Sequence, residues 1–316
     1  MTSTHSTLFY DGAQHYAAEA GGFLREGLEL GHRALVMAPS HRVDLLRSAL
    51  GRDADEVTYV DASVAYTPQW NAYRVLLDFV SRSSGSRACV VAEADLTDVT
   101  PAELLDYRRL ETATNLVFAE SEVDLLCPYD AGTLPTHLLE IGLQSHALMR
   151  AGGHPSPNTS FSDPAGRLAE LATVTQAPAG AETLLCGSGA DVSGARRLVR
   201  TLGARAGLGT DVVDDVALAV SEVLANALVH GQPPALLHVY DERDSWVCHV
   251  HDTGRAPMDP LSGLLPPGQP TDHGYGLWLA RQLCTAVDVG TDGSGTHVRL
   301  HSRTRPSRRR EAVRRT

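Results

Sequence analysis

SEVLANALVHG, residues 221–231, is a stretch of apolar helix that carries three evenly spaced polar side chains. Glu222, Asn226 and His230 recur every four residues. At about 3.6 residues per turn this spacing places all three along one stripe of a helix. Burying such groups without partners costs on the order of 1–3 kcal/mol each. The stripe therefore indicates a functional site on an otherwise ordinary core helix.

The composition of the chain limits the classes of protein to consider. With 316 residues, 43% hydrophobic and 21% charged, it is typical of a soluble globular protein of two domains. We find no signal-peptide pattern at the start and no apolar run of roughly 18–20 residues, so we expect no membrane segment and a cytoplasmic location. The five cysteines lack a Cys-x-x-Cys pair, which favours reduced thiols.

The charged residues exclude two kinds of lysine-dependent site and disfavour direct nucleic-acid binding. All 27 basic residues are arginine, so a phosphate-loop lysine and a Schiff-base lysine are both excluded. The net charge of −11 includes a tail at residues 303–316 that carries +6, which leaves −17 for the rest. An acidic body disfavours direct nucleic-acid binding, and we expect the basic tail to be disordered.

The first half, residues 1–150, alternates short apolar runs with helical patterns. Strict alternation of strand and helix predicts an α/β domain with a parallel sheet and helices on both faces. The strands are predicted at 6–10, 34–38, 57–61, 88–93 and 123–130, and the helices near 13–30, 41–50, 68–82, 101–119 and 135–149.

A Pro- and Gly-rich segment at residues 151–181 predicts a linker with a short helix at 164–173. After it, the order of predicted strands and helices differs from that of the first half. From 182 to 302 grouped helices and successive strands predict an α+β two-layer sandwich. The predicted strands lie at 182–186, 235–242, 245–252, 286–292 and 296–302, and the helices near 191–206, 210–230 and 275–285.

Three further stretches in this half carry residues suited to a nucleotide. HVHDTGRAP (249–257) places Asp252 at a strand end before Gly254, HGYGLWLARQL (273–283) places Gly274 and Gly276 at a helix start, and GSGTHVRL (293–300) places Thr296 at a strand start. A carboxylate accepts a hydrogen bond from an exocyclic amine such as that of adenine. Glycines at a helix start let backbone N–H groups approach phosphates, and a side-chain amide is a ligand for Mg²⁺.

Residues 182–302 resemble the ATPase domain shared by gyrase, Hsp90, histidine kinases and MutL, the GHKL or Bergerat fold, and most of all the small anti-sigma-factor serine kinases. EVLANALVHG matches the N box, DTG and GYGL match the two glycine boxes, and GTHVRL matches the last block. The resemblance implies ATP and Mg²⁺ as cofactors. It makes Asn226 the Mg²⁺ ligand, Glu222 the general base or water-orienting carboxylate, and Asp252 the partner of the adenine amine, with support from Thr296.

Two details stay open within this resemblance. His230 either contacts the nucleotide or caps the helix end and packs there. The first glycine box usually reads D-x-G-x-G, and Ala256 replaces its second glycine, which bears on the flexibility of the lid. His249 and His251 alternate on one strand beside Cys248, but no second cluster with ligand spacing lies nearby, so we expect an exposed strand face there and not a metal site.

The first half resembles the MEDS sensory domain, a RecA-like module without its phosphate loop. HSTLFY (5–10), FLREGLELGHRALVMA (23–38) and LLCPYDAGTLPTHLLEIGLQSHALM (125–149) carry the resemblance. His5, Cys127 and His146 are candidates to line a small-molecule pocket at the C-terminal or edge side of the sheet. Alternatively they satisfy local backbone or face solvent, and Cys127 is a core thiol. Further polar positions of the resemblance are Tyr10, Glu111, Tyr129 and Asp130.

Three functions remain open at this point. The first is an anti-sigma regulatory serine/threonine kinase that phosphorylates an anti-anti-sigma partner, controls a sigma factor and is gated by the sensory domain, as a monomer or a homodimer. The second is a sensor histidine kinase, which would need a helical hairpin with a phosphoacceptor histidine before the ATPase domain. The third is a nucleotide-gated binding regulator that transfers no phosphate.

Overall fold

The computed structural model describes residues 3–82, 85–254, 259–266 and 275–304. Gly274, Ala256 and residues 305–316 of the basic tail lie outside the described residues. By their packing, the described residues divide into two compact units. The first draws on the described residues within 1–67, 71–98 and 107–168, and the second on those within 68–70, 99–106 and 169–304.

The helices and strands follow one another closely along the chain. In the first half they are β1 (Thr4–Tyr10), α1 (Gly12–Glu29), β2 (Arg33–Ala38), α2 (Ser40–Leu50), β3 (Val57–Asp61), α3 (Ala62–Ala65), α4 (Asn71–Ser81), β4 (Ala88–Ala92), α5 (Pro101–Val117), β5 (Val123–Asp130), α6 (Thr136–Ser145), β6 (Leu148–Ala151) and β7 (His154–Pro157). In the second half they are α7 (Pro164–Leu171), β8 (Glu182–Cys186), α8 (Val192–Arg205), α9 (Thr210–Val229), β9 (Ala235–Asp241), β10 (Ser245–Asp252), α10 (Tyr275–Leu283), β11 (Ala286–Asp292) and β12 (Gly295–Arg303).

The first unit is built on a sheet of strand order β3-β2-β4-β5-β1-β6-β7. All pairs are parallel except β6 with β7, which is antiparallel. The inner strands β2 and β4 are short runs of Val, Ala, Leu, Met and Cys, and nearly every residue in them is buried. Such continuous apolar strands need cover on both sides of the sheet.

Alternate residues of β1 show that helices do cover both faces. Leu8 and Tyr10 share a buried cluster with Tyr16 of α1. On the other side, a Cβ placed on Gly142 of α6 would lie 3.0 Å from atoms of Thr7 and its neighbours on the sheet, so this helix approaches very closely. Because successive side chains of a strand point to opposite faces, α1 and α6 lie on opposite sides.

The segment at 151–181 contains more regular structure than a linker. Residues 154–157 form β7, which pairs with β6, and the short helix is present as α7 at Pro164–Leu171. The last predicted helix of the first half, near 135–149, ends at Ser145, and the chain continues as β6. Periodicity misplaced this boundary because short apolar runs suit both a helix and a strand.

The second unit has a five-stranded antiparallel sheet of order β11-β12-β10-β9-β8. Along β9, Ala235, Leu237 and Val239 are buried while Leu236 and His238 are partly exposed, so this strand is covered mainly on one face, whereas β10 is buried along nearly its whole length. The apolar stripe of α9 enters the same core as these strands. The site residues therefore sit between a helix and the ends of two central strands.

None of the helices among the described residues is both long and apolar enough to cross a membrane.

Candidate functional site

Helix α9 carries the polar stripe on the edge of its buried face. Val223 and Ala227 are buried in the core of the second unit, and Glu222 and Asn226, one position before each, are half-buried. His230 follows the last turn, where its backbone N–H donates to the Asn226 carbonyl at 2.8 Å, and it is exposed. The packed apolar residues fix the helix, and the polar stripe is held at the rim of the core.

The start of α10 lies directly against two members of this stripe. A Cβ placed on Gly276 would stand 3.0 Å from Nδ2 of Asn226 and 3.2 Å from Oε2 of Glu222. A side chain there would fill the space in front of both polar groups. Glycine therefore keeps a cradle open between the N-terminus of α10 and the stripe of α9, and helix N-termini attract anions.

Asp252 ends strand β10 and is almost fully buried. Its Oδ1 accepts hydrogen bonds from the backbone N–H of Gly254 at 2.7 Å and of Gln232 at 3.2 Å. Thr296 of β12 is its register partner, and its hydroxyl donates to the Gly254 carbonyl at 3.1 Å. These bonds tie the end of β10, the start of β12 and the chain after α9 into one rigid corner.

The stripe, the corner and α10 enclose a cavity of about 410 Å³. Its volume is within the range of small-molecule sites. Polar groups enter an otherwise apolar space, as is typical of sites that bind a ring system and orient it. The lining residues are Val223, Asn226, Ala227, His230, Gly231, Val250, Asp252, Asp259, Ser262, Leu277, Thr296 and Val298.

The structure thus brings most of the sequence-predicted residues together. Asn226, His230, Asp252 and Thr296 line the cavity directly. Glu222 and Gly276 lie beside Asn226, and Gly254 is bonded to Asp252, while Gly274 falls outside the described residues.

The sequence did not identify Asp259 and Ser262, which also line the cavity. They lie in residues 259–266, between the two glycine boxes, where no periodic pattern or motif marks a position. Only the position of these residues beside the cavity brings them to the site. The apolar lining was also missed as part of the site, because Val and Leu at core spacing do not distinguish a cavity wall from a packed core.

The residues present fit a nucleotide with a divalent ion. The hydrogen bonds that the described residues give to the Asp252 carboxylate all reach Oδ1, which leaves Oδ2 as an acceptor for an amine in the cavity. Apolar walls suit a purine ring, and the Asn226 amide supplies the neutral oxygen that Mg²⁺ accepts beside phosphates and water.

The expectation of an exposed strand face at His249 and His251 was wrong for one of the two. His249 is fully buried, and its Nε2 lies 3.0 Å from Nδ1 of His297 on β12. Burial and the neighbouring His297 lower the pKa of His249 to about 3, so its ring is neutral. His251 is half-exposed and stacks on His297. The sheet register, which the sequence does not reveal, brings the rings of His238 on β9 and His297 on β12 against His249.

In the first unit, the structure brings His5, Cys127 and His146 into one buried cluster with Glu111 of α5. The cluster lies near the N-terminal end of β1 and beside α5 and α6, and not at the C-terminal side of the sheet, which was one of the two places that the sequence left open. Burial and the nearby Glu111 raise the pKa of the Cys127 thiol well above its usual value. A thiol of this kind is unreactive as a nucleophile.

Comparisons with known proteins give two family matches, which fall on separate parts of the chain. Residues 188–302 match the family model for a histidine kinase-like ATPase domain. Residues 4–147 match the model for MEDS, the methanogen/methylotroph, DcmR sensory domain. No curated protein matches the chain.

Among solved structures, the chain is similar to the RsbU and RsbW domains of a protein from Mycobacterium tuberculosis, with 20% sequence identity and a TM-score of 0.31. The match covers 42% of this chain and 35% of that one, so the chain spans well under two thirds of that protein. On the two family matches, the chain joins a MEDS sensory domain at residues 4–147 to a histidine kinase-like ATPase domain at residues 188–302.

Proposed function

We propose that the C-terminal domain binds ATP with Mg²⁺ in the cavity beside α9 and acts as an anti-sigma regulatory serine/threonine kinase. The main observation behind this proposal is that one cavity of nucleotide size is lined by Asn226, Asp252 and Thr296. These residues come from three separate stretches of the sequence. The match of residues 188–302 to a histidine kinase-like ATPase domain supports ATP as the ligand.

In this proposal each polar group has a separate task. Asp252 accepts a hydrogen bond from the adenine amine, and the Thr296 hydroxyl holds the Gly254 carbonyl and so keeps the corner in place. Asn226 binds Mg²⁺ through its side-chain oxygen. His230 contacts the nucleotide from the end of α9, and Gly276 keeps the phosphates close to the backbone of α10, with Gly274 in the same role.

Glu222 lies on the same helix face as Asn226, one turn earlier, and takes the proton of the attacking hydroxyl. Mg²⁺·ATP, when bound, supplies the phosphoryl group, which passes from the ADP leaving group to the oxygen of a serine or threonine. Phosphoryl transfer demands little covalent chemistry from the protein, so the contribution of these residues is positioning and charge stabilisation.

The remaining elements of the proposal concern regulation. The phosphorylated partner is an anti-anti-sigma protein, the controlled partner is a sigma factor, and the N-terminal domain responds to a small molecule.

We also propose that the first sheet is RecA-like and that the ATPase domain is a two-layer Bergerat sandwich with boundaries at 182 and 302. Residues 151–181, all described, contain one helix of eight residues, so a histidine-kinase hairpin has no place there.

The test uses the full-length chain with γ-labelled ATP, Mg²⁺ and purified candidate anti-anti-sigma proteins. The label should appear on a serine or threonine of one partner, identified by mass spectrometry. Glu222→Gln should leave ATP binding near normal and slow transfer by roughly 10²–10⁴-fold, the range for loss of a general base. Asn226→Ala should weaken the Mg²⁺-dependent part of ATP binding and abolish transfer.

Glu182→Gln, an exposed glutamate on β8, is the matched control and should behave as the native chain. If Glu222→Gln transfers phosphate at the native rate while Asn226→Ala fails, Glu222 is structural. If ATP binds normally but no partner is labelled, the domain regulates by nucleotide-gated contact and the kinase proposal is wrong.

A further inference from the structure

Four side chains that can bind metal ions meet inside the N-terminal domain. His5 of β1, Glu111 of α5, Cys127 of β5 and His146 after α6 place one ligand atom each within 4.8 Å of all the others. All four residues are buried, with exposed fractions between 0% and 8%. Four different elements of the fold converge to make this cluster, so no local sequence motif accounts for it.

The two imidazole rings are oriented by their other nitrogens. Nδ1 of His146 lies 2.8 Å from the Gly142 carbonyl oxygen, which can only accept, so Nδ1 carries the proton. Nδ1 of His5 lies 3.2 Å from Oδ1 of Asn115, whose amide nitrogen donates to the Ser145 carbonyl. Both rings therefore present Nε2 as a lone pair toward the cluster. Metal-binding histidines are held in the same way, by a second contact that fixes the tautomer.

The distances between the ligand atoms suit one small ion. Nε2 of His146 lies 3.1 Å from Oε2 of Glu111, Nε2 of His5 lies 3.7 Å from the same oxygen, and Sγ of Cys127 lies 3.4 Å from Nε2 of His5. Tetrahedral zinc, with bonds of about 2.0–2.3 Å, places neighbouring ligand atoms about 3.3–3.6 Å apart. The remaining pairs of ligand atoms lie within 4.8 Å of one another, so the widest pair has to close before the cluster reaches that geometry.

Two atoms of the cluster are buried without a hydrogen bond. They are Oε2 of Glu111 and Nε2 of His146, which lie 3.1 Å apart and form no hydrogen bond with any of the described residues. With Nε2 of His146 unprotonated, two acceptors face each other in a space closed to solvent. An unsatisfied buried polar group is costly, so this arrangement points to a cation between them.

We propose that His5, Glu111, Cys127 and His146 bind one divalent transition-metal ion, with Zn²⁺ as the ion that best fits the ligand set. Two imidazoles, a thiolate and a carboxylate are ligands of zinc and its neighbours, not of Mg²⁺ or Ca²⁺, which prefer oxygen. On binding, the Cys127 thiol gives its proton to solvent. The resulting site, with a 2+ ion, a thiolate and a carboxylate, has no net charge, which suits its burial.

This ion would be separate from the nucleotide site, since its ligands all belong to the N-terminal domain. Four protein ligands complete a tetrahedral shell and leave no open position, which is typical of structural and not of hydrolytic zinc. The ion would fasten β1 and β5 to α5 and α6. The MEDS domain would in that way depend on metal for its stability.

The experiment uses the full-length chain, stripped with a chelator and kept free of nucleotide. Zn²⁺ is titrated against a chromophoric competing chelator, and Co²⁺ serves as a spectroscopic probe. We expect one ion per chain, a thiolate-to-cobalt charge-transfer band in the near ultraviolet, and a rise in the melting temperature of the N-terminal domain with Zn²⁺ but not with Mg²⁺.

Cys127→Ser should remove the charge-transfer band, and Glu111→Gln, which is nearly isosteric, should lower zinc affinity at least tenfold while circular dichroism shows a native fold. Cys89→Ser, at another buried thiol of the same domain, is the control and should keep both band and affinity. Failure of the native chain to bind Zn²⁺ or Co²⁺, or retention of the full affinity and band in Cys127→Ser, overturns the proposal. Retained affinity in the variants would place the ion elsewhere, for example at the histidines around His297.

Discussion

Asp252→Asn tests the nucleotide site at the group that faces the base. In the native protein Oδ1 holds the backbone N–H groups of Gly254 and Gln232, and Oδ2 is left for the adenine amine. Asparagine has nearly the same shape, so its carbonyl oxygen can replace Oδ1 and preserve the corner. Its NH₂ group then replaces Oδ2 and meets the adenine amine as donor against donor.

The expected loss follows from the kind of hydrogen bond removed. A hydrogen bond to a charged group contributes about 1.5–3 kcal/mol, and Asp252 is buried, so solvent screens little of it. This range corresponds to roughly a 12- to 150-fold rise in Kd. Since adenine is common to both ligands, ATP and ADP should weaken by the same factor, and the Mg²⁺ dependence of ATP binding should stay unchanged.

Isothermal titration calorimetry of the full-length chain at fixed Mg²⁺ measures both affinities. Asp244→Asn, an exposed aspartate in the turn between β9 and β10, is the matched control and should bind like the native chain. A Kd for Asp252→Asn within twofold of the native value would remove this carboxylate from the base site. A loss confined to ATP would assign it to the phosphates.

Two further substitutions probe other parts of the molecule. Gly276→Ala should weaken the binding of Mg²⁺·ATP by tenfold or more, about 1.4 kcal/mol, because its Cβ would press on the Asn226 amide. In the same calorimetric titration Gly209→Ala, where no atom lies within 4 Å of the added Cβ, should bind normally. Burial raises the pKa of Glu93 from 4.5 to about 7, so the folded state keeps this proton while the unfolded state loses it between those pH values. The free energy of unfolding should therefore fall by up to about 3 kcal/mol as pH rises through that window. In urea unfolding measured across the same pH range, Glu93→Gln should not show this fall, whereas Glu56→Gln, at an exposed glutamate, should show it as the native chain does.

Most of the strands were predictable from the sequence because of their composition. The inner strands β2, β4 and β5 are apolar runs bounded by polar or turn residues, and each was predicted within a residue or so of its observed ends. The boundary after α6 was not, since the apolar run that follows Ser145 is compatible with both helix and strand. Strand β7 was missed for a similar reason, because HPSP has no strand pattern and is held only by its pairing with β6.

For site residues that lie close together along the chain, the sequence predicted both their proximity and their chemical roles. Glu222 and Asn226 share a helix face at a spacing of four, so their proximity follows from the helical repeat alone. Asp252 and Thr296 were found through their motifs, but their register pairing across β10 and β12 depends on the sheet. Asp259 and Ser262 carry no local signal and join the site only through the path of the chain.

Patterns among residues within a few positions of one another were enough to predict the alternating elements of the first half, the grouped elements of the second half and the polar stripe of α9. Such patterns could not predict which distant groups meet, because that depends on the packing of the folded chain. Glu111 lies 106 positions after His5 and 35 before His146, yet its carboxylate lies within 3.7 Å of both rings. The sheet order and the packing of α5 and α6 set that contact, and such long-range packing leaves no periodic mark in a single sequence.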